Sequence, residues 1–236
     1  MEAGSISEQD PSSSARGFAL AALRETLGRS TDVDACLELA ARIAQLMGEA
    51  LEYFRQQQTD IACGAGCNFC CHLRVMVYPH EAIALFRYLG SRMPQEQAQQ
   101  VRQRLTANAA GISKHGGEGR ADSVACAFLV DGLCSAYEAR PAACASYHSL
   151  SRLRCEQAHG KASTSPSGIP VSQAVRHIAS ALNEGLEQAL VASGLSTAQV
   201  ELQTAVAALL RNPALIARWR SGAQWPRDAR GVMRAK

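Results

Sequence analysis

The sequence predicts a mainly α-helical frame that carries two irregular cysteine-rich segments, with at most one short strand or hairpin. Three observations predict it. Apolar residues recur at the helical period, as in Cys36, Leu39, Ala40, Ile43, Leu46, Met47, Ala50, Leu51 and Phe54. Eight of the nine cysteines crowd into two stretches, 63–71 and 126–155, which are too broken by Gly and Pro to hold long helices. The 236 residues, 47% hydrophobic and 19% charged, suffice for one sizeable core and exclude a disordered or collagen-like chain.

Residues 1–15 are Ser-rich and polar and are expected to be disordered. A single helical domain is expected over 16–211, with the cysteine region at 60–155 and an Arg-rich tail at 212–236. Its first helix spans about Ala15 to Arg29, and the second about Asp32 to Gln57. Cys36 lies on the apolar stripe of the second helix and reads as a small core residue. Thr59 to His72 is irregular. Leu73 to Tyr78 alternates weakly and could form one short strand. Pro79 suits the first turn of a third helix, with Glu81 favourable near its N-terminus and the end near Gly90. A fourth helix runs from near Pro94 through a Gln-rich surface to about Asn108, and Gly111 to Asp122 reads as a loop. Lys161 to Pro170 is a Ser/Gly/Pro linker. Val171 to Ser193 is helical, stopped by Gly194. Ser196, Thr197, Ala198 and Gln199 match a capping box that would open the last helix, to about Arg211.

The formal charge of +3 is too small to imply a nucleic-acid binder. It concentrates from Arg218 onward, where six cations face only Asp228. No run approaches the ~18 uncharged apolar residues of a membrane span. The opening MEAGSISEQDPSSSARG lacks the apolar segment of a secretory signal. The expected compartment is therefore the reducing cytoplasm, where disulfides are rare and clustered thiols point to metal or redox chemistry.

Cys63-x3-Cys67-x2-Cys70-Cys71 is the most specific feature. Two intervening residues let the sulfurs of Cys67 and Cys70 reach one ion or cluster, and amides in such a turn point at the sulfurs. Gly64 and Gly66 allow the backbone to wrap closely. The adjacent side chains of Cys70 and Cys71 are expected to point apart. Further ligands would come from Cys126-x7-Cys134-x9-Cys144-x10-Cys155. The eight thiols suffice for two centres of four, or for one centre with spare redox thiols. His72, His80 and His148 lie near these segments and could replace a thiolate. A purely architectural metal is an equal alternative, because binding energy then becomes folding energy. Four-thiolate zinc sites commonly pair two C-x2-C clips. Here there is one, and the other thiols are dispersed, which tilts the expectation to an iron–sulfur cluster over Zn2+, although soft thiolates suit both.

Cys63-x3-Cys67-x-Phe69-Cys70 also resembles the cluster motif of radical S-adenosylmethionine enzymes. Here, however, a long helix precedes it, no strand series follows Tyr78, and a fourth cysteine comes at once. A different resemblance is more specific. Cys63-Gly-Ala-Gly-Cys67-Asn-Phe-Cys70-Cys71, then Val75-x-Val77-x-x-His80-Glu81-Ala82, is one half. Cys126-Ala-Phe128-Leu129-x-x-Gly132-x-Cys134-x-x-Tyr137-x-x-Arg140-Pro141-x-x-Cys144 is the other. Together they resemble the YkgJ-type cysteine-cluster family of zinc- or iron-chelating domains, with a related segment in flagellin lysine N-methylase. The resemblance covers about residues 60–155 and implies metal binding. Cys155 lies beyond its strongest part. Ala127 and Ala145 stand where family members usually have Pro and a basic residue.

Arg140-Pro141 has a physical reading of its own: Pro redirects the chain so that Cys144 can approach the centre, and Arg140 could offset thiolate charge, with a plain surface Arg before a turn as the equal alternative. The leading functional expectation is a cytosolic metalloprotein whose centre is structural or redox-sensing. The alternative is a cluster-dependent enzyme, such as a protein methyltransferase or oxidoreductase. No Gly-rich phosphate cradle or P-loop supports a nucleotide cofactor. A third possibility is an adaptor whose Arg-rich tail, with Trp219 and Trp225, docks an acidic protein or RNA.

Overall fold

The computed structural model describes residues 11–29, 33–57, 60–114, 124–159 and 168–226. Helix α1 (Pro11–Gly28) lies along α7 (Gln173–Ala192), and α2 (Val33–Gln56) packs on α3 (Pro79–Ser91). Helix α4 (Gln95–Lys114) packs on α8 (Leu202–Arg211), which also touches α3 and α9 (Leu215–Arg220). The second cysteine segment itself carries the short helices α5 (Ala142–Ala145) and α6 (Arg152–His159). The apolar stripe expected on α2 is buried: Cys36, Leu39, Ile43 and Met47 join Ile83, Leu85 and Leu89 of α3 in one core with Leu182, Leu186 and Leu190 of α7. Burial of such side chains, each contributing roughly 1.5–3 kcal/mol, is what holds helices of modest propensity in place.

Two antiparallel ladders, each of two strands, stand where at most one was expected. Strand β1 (Met76–Val77) pairs with β4 (Val200–Glu201), matching Met76 to Glu201 and Val77 to Val200. Strands β2 (Leu129–Val130) and β3 (Leu133–Cys134) form a hairpin. Its turn is Asp131-Gly132, with φ of 50° and 78°. Positive φ at both positions is the two-residue hairpin turn that Asp-Gly favours.

Four other expectations are corrected. The N-terminal stretch is helical from Pro11, and Ala15 is buried against the core, so the expected disorder does not extend to 11–15; residues 1–10 lie outside the described residues. Helix α4 continues past Asn108 to Lys114, because Ala109 and Ile112 extend its buried face; residues 115–122 of the expected loop are outside the description. Helix α8 begins at Leu202 and not at Ser196. Val200–Glu201 is drawn into the ladder with β1, and the Glu201 carboxylate then caps the helix, accepting from the amides of Gln203 at 3.2 Å and Thr204 at 2.7 Å. Finally, the tail is part of the fold up to residue 226. Trp219 is 1% exposed and Trp225 2% exposed, both in the core, so neither indole is displayed for docking. Residues 227–236 and 161–167, the rest of the tail and most of the expected linker, lie outside the described residues.

Candidate metal centre

Backbone hydrogen bonds join the cysteine-bearing segments directly. The Cys126 amide donates to the Cys71 carbonyl at 2.7 Å, and the Ala62 amide to the Ser149 carbonyl at 2.9 Å. The Ser149 amide donates to the Cys63 sulfur at 3.1 Å. A clamp from α4 holds the second segment. The Arg104 guanidinium donates to the carbonyls of Leu129 and Cys126, and the Asn108 amide nitrogen donates to the Ala125 carbonyl at 2.9 Å. Gln203 of α8 accepts from Asn108 at 2.7 Å and from the Ala127 amide at 2.9 Å. The Gln-rich face of α4 thus includes residues that fix the centre, a role its polar composition did not signal.

Each cysteine has a defined support. Cys63, Cys67, Cys70 and Cys71 are half-buried along a loop whose Gly66 adopts φ of 79° and a 3-10 turn over Phe69–His72. The Arg55 guanidinium at the end of α2 donates to the Cys63 carbonyl. Cys134 is carried by the hairpin, and Cys144 by α5. Cys155 is buried on α6. Glu81 anchors α5: its carboxylate accepts from the amides of Tyr78 at 2.8 Å and Ala142 at 2.7 Å, tying the start of α3 to the helix bearing Cys144.

Cys70 and Cys71 sit side by side on the tight 3-10 turn over Phe69–His72. Both remain thiols, as none of the nine cysteines is in a disulfide. Cys63 feels the charge of Cys67, Cys70 and Cys155, whereas Cys144 feels that of Cys126, Cys134 and Cys70. Cys70 therefore stands between two groups of sulfurs. Among the described residues, no three Cys, His, Asp or Glu side chains close to the spacing of ligands on a single ion.

Electrostatics favour the neutral thiol until a cation enters. Burial pushes Cys63 up to about 11 and Cys126 up to about 12, and raises Cys134 and Cys144 as well. Cys70 is raised by its hydrogen bond with Cys71 and then by burial. Amides oppose this: Ser149 on Cys63, Phe128 on Cys126 and Ala136 on Cys134. Arg140, whose guanidinium carbon lies 3.6 Å from the centroid of the Tyr137 ring, favours the thiolates of Cys70 and Cys134. Thiols raised by burial yet supplied with amide and guanidinium support fit a soft metal, which supplies the positive charge that ionises them.

The histidines are less tied to the sulfurs. His80 is 1% exposed at the start of α3, stacked near Tyr78, with neither ring nitrogen bonded among the described residues. The Nε2 atom of His148 lies 2.7 Å from the Ala145 carbonyl oxygen. The ring of His72 sits 4.3 Å from that of His159.

Comparison with known proteins gives one match. Residues 62–165 match the family model described as "CxxCxxCC: Putative zinc- or iron-chelating domain". The matched stretch is less than half of the chain and includes all eight cysteines placed above. No curated protein and no solved structure matches the chain. Among the described residues, no helix is long and apolar enough to cross a membrane.

Proposed function

We propose that this protein is a cysteine-cluster metalloprotein in which Cys63, Cys67, Cys70, Cys71, Cys126, Cys134, Cys144 and Cys155 hold an iron–sulfur cluster or zinc in a structural or redox role. The observation that carries this reading is the joining of the two cysteine segments, with the Ser149 amide of the second donating to the Cys63 sulfur of the first at 3.1 Å. Amides spent on sulfur are of most use when the sulfur carries charge, because a charge-assisted hydrogen bond is roughly twice as strong as a neutral one. A reducing compartment suits nine unbridged thiols, so we assign the chain to the cytoplasm. Iron–sulfur is preferred over zinc because the motif holds only one C-x2-C clip.

Elemental analysis of protein purified without oxygen tests the reading. The expected sample is brown and contains iron with acid-labile sulfide, and its visible absorption bleaches in air. A colourless protein with stoichiometric zinc and no sulfide would reject the iron–sulfur choice while leaving the ligand set intact. A sample with neither metal would reject the reading as a whole.

A further inference from the structure

Several of the large apolar side chains exposed among the described residues lie in the second cysteine segment: Leu133 (55% exposed), Tyr137 (59%) and Leu153 (61%) stand out most. They fall in two patches of opposite charge. On the hairpin side, Leu133 and Tyr137 are accompanied by the exposed carboxylates of Asp131 and Glu138. Arg140, which follows, is half-buried, with its guanidinium carbon 3.6 Å from the centroid of the Tyr137 ring. On α6, Leu153 is flanked by the exposed Arg152 and Arg154, and Glu156 is the one acid of that helix. Among the described residues, none of Asp131, Glu138, Arg152 and Arg154 is in an ion pair.

The two patches flank adjacent residues of the first cysteine segment. Asn68 donates to the Gly132 carbonyl in the hairpin turn at 3.5 Å. The Phe69 ring lies 5.7 Å from that of His159 and 5.9 Å from the Arg152 guanidinium carbon, both on α6. Exposed apolar side chains rimmed by polar groups mark an interaction surface. An acidic patch and a basic patch side by side are complementary to the same surface turned through a two-fold axis. The acidic patch of each copy then faces the basic patch of the other, and every contact is made twice.

We propose that this face docks a second copy of the chain, with the hairpin patch of Leu133, Tyr137 and Glu138 seated on the α6 patch of the other copy and the two-fold axis passing near Phe69. The proposal does not rest on the metal reading. Its test is sedimentation velocity of the full-length chain, purified without oxygen and kept in a non-chelating reductant, as concentration is raised. Wild type is expected to pass from monomer to dimer. Glu138→Arg places a cation against the basic patch in both contacts, and Arg154→Glu places an anion against the acidic patch in both. Each is expected to raise the dissociation constant by about tenfold or more. An equimolar mixture of the two variants is the decisive sample. In a dimer of one with the other, both contacts again bring opposite charges together, so dimer is expected to return. Leu153→Ser is expected to weaken the dimer without changing charge, and it keeps the face testable if a charge reversal folds poorly. A wild type that stays monomeric at every concentration would overturn the proposal. So would a dimer indifferent to all three substitutions, or a mixture of the two folded charge variants that remains monomeric.

Discussion

His80 and Glu81 are neighbours in sequence, both fully buried, and burial drives their titrations in opposite directions. His80 is held neutral, its ionisation lowered to about 3 by burial. Its contribution to stability is therefore present above the ordinary imidazole value of 6.5 and is lost as pH falls from there towards 3. The Glu81 carboxyl is raised to about 7 by burial, although the amides of Ala142 and Tyr78 pull the other way. That contribution is complete below 4.5 and is lost as pH rises through about 7. Urea unfolding across this range checks both signs. Relative to wild type, His80→Phe is expected to flatten the loss of stability on acidification below pH 6.5. Glu81→Gln is expected to remove the loss on the way up to pH 7. It should also lower stability overall by ~1–3 kcal/mol, since a carboxamide oxygen cannot replace both acceptors. A Glu81→Gln curve parallel to wild type between pH 4.5 and 7 would contradict the assignment.

At the scale of elements, the contact of α1 with α7 depends on Gly185. A Cβ there would sit 2.4 Å from the Arg16 carbonyl oxygen and 2.9 Å from the Ala19 side chain. Alanine is favoured over glycine inside a helix by ~1 kcal/mol. Here overpacking wins, because the obstacle is backbone and cannot turn aside, and the cost is ~1–3 kcal/mol. Gly185→Ala is therefore expected to lower the thermal midpoint by several degrees, with far-UV circular dichroism little changed at low temperature. A raised midpoint would show that helix propensity dominates and that the two helices are less closely seated. Helix α8 makes a related point about competition between local and distant signals. The Ser196 pattern is a sound local capping box, yet the chain starts the helix at Leu202, where pairing with β1 and the Glu201 cap coincide.

At the scale of the molecule, neither cysteine segment is self-sufficient. The Cys126 amide is satisfied by Cys71, and the Cys63 sulfur by Ser149, so each segment completes the hydrogen bonding of the other. Neither has a hydrophobic core of its own, and metal binding would add to folding energy across both. Cys67→Ser and Cys134→Ser are each expected to lower the thermal midpoint sharply and to speed hydrogen exchange at the amides of both Cys126 and Ser149. Chelation of the metal is expected to have the same effect on wild type. Exchange that rises only in the mutated segment would mean two independent sites.

Much of this was legible from the residue pattern alone. The period of Leu39, Ile43 and Met47 determines which face of α2 is buried, because a helix places those positions on one side. The spacing of Cys63, Cys67, Cys70 and Cys71 carries the proposed soft-metal site, because thiol chemistry belongs to the residue type. Gly194 ends α7 as expected, with φ of 68°. Asp131-Gly132 is a hairpin signal of the same local kind, since both positions take positive φ. What only tertiary structure decided are the relations between distant residues: Arg104 and Asn108 clamping the second segment, Glu81 anchoring the helix of Cys144, and Trp219 entering the core. The physical reason is that helical period and thiol chemistry act over a few residues. Burial and hydrogen-bond partnership depend on which surfaces meet once the whole chain has packed.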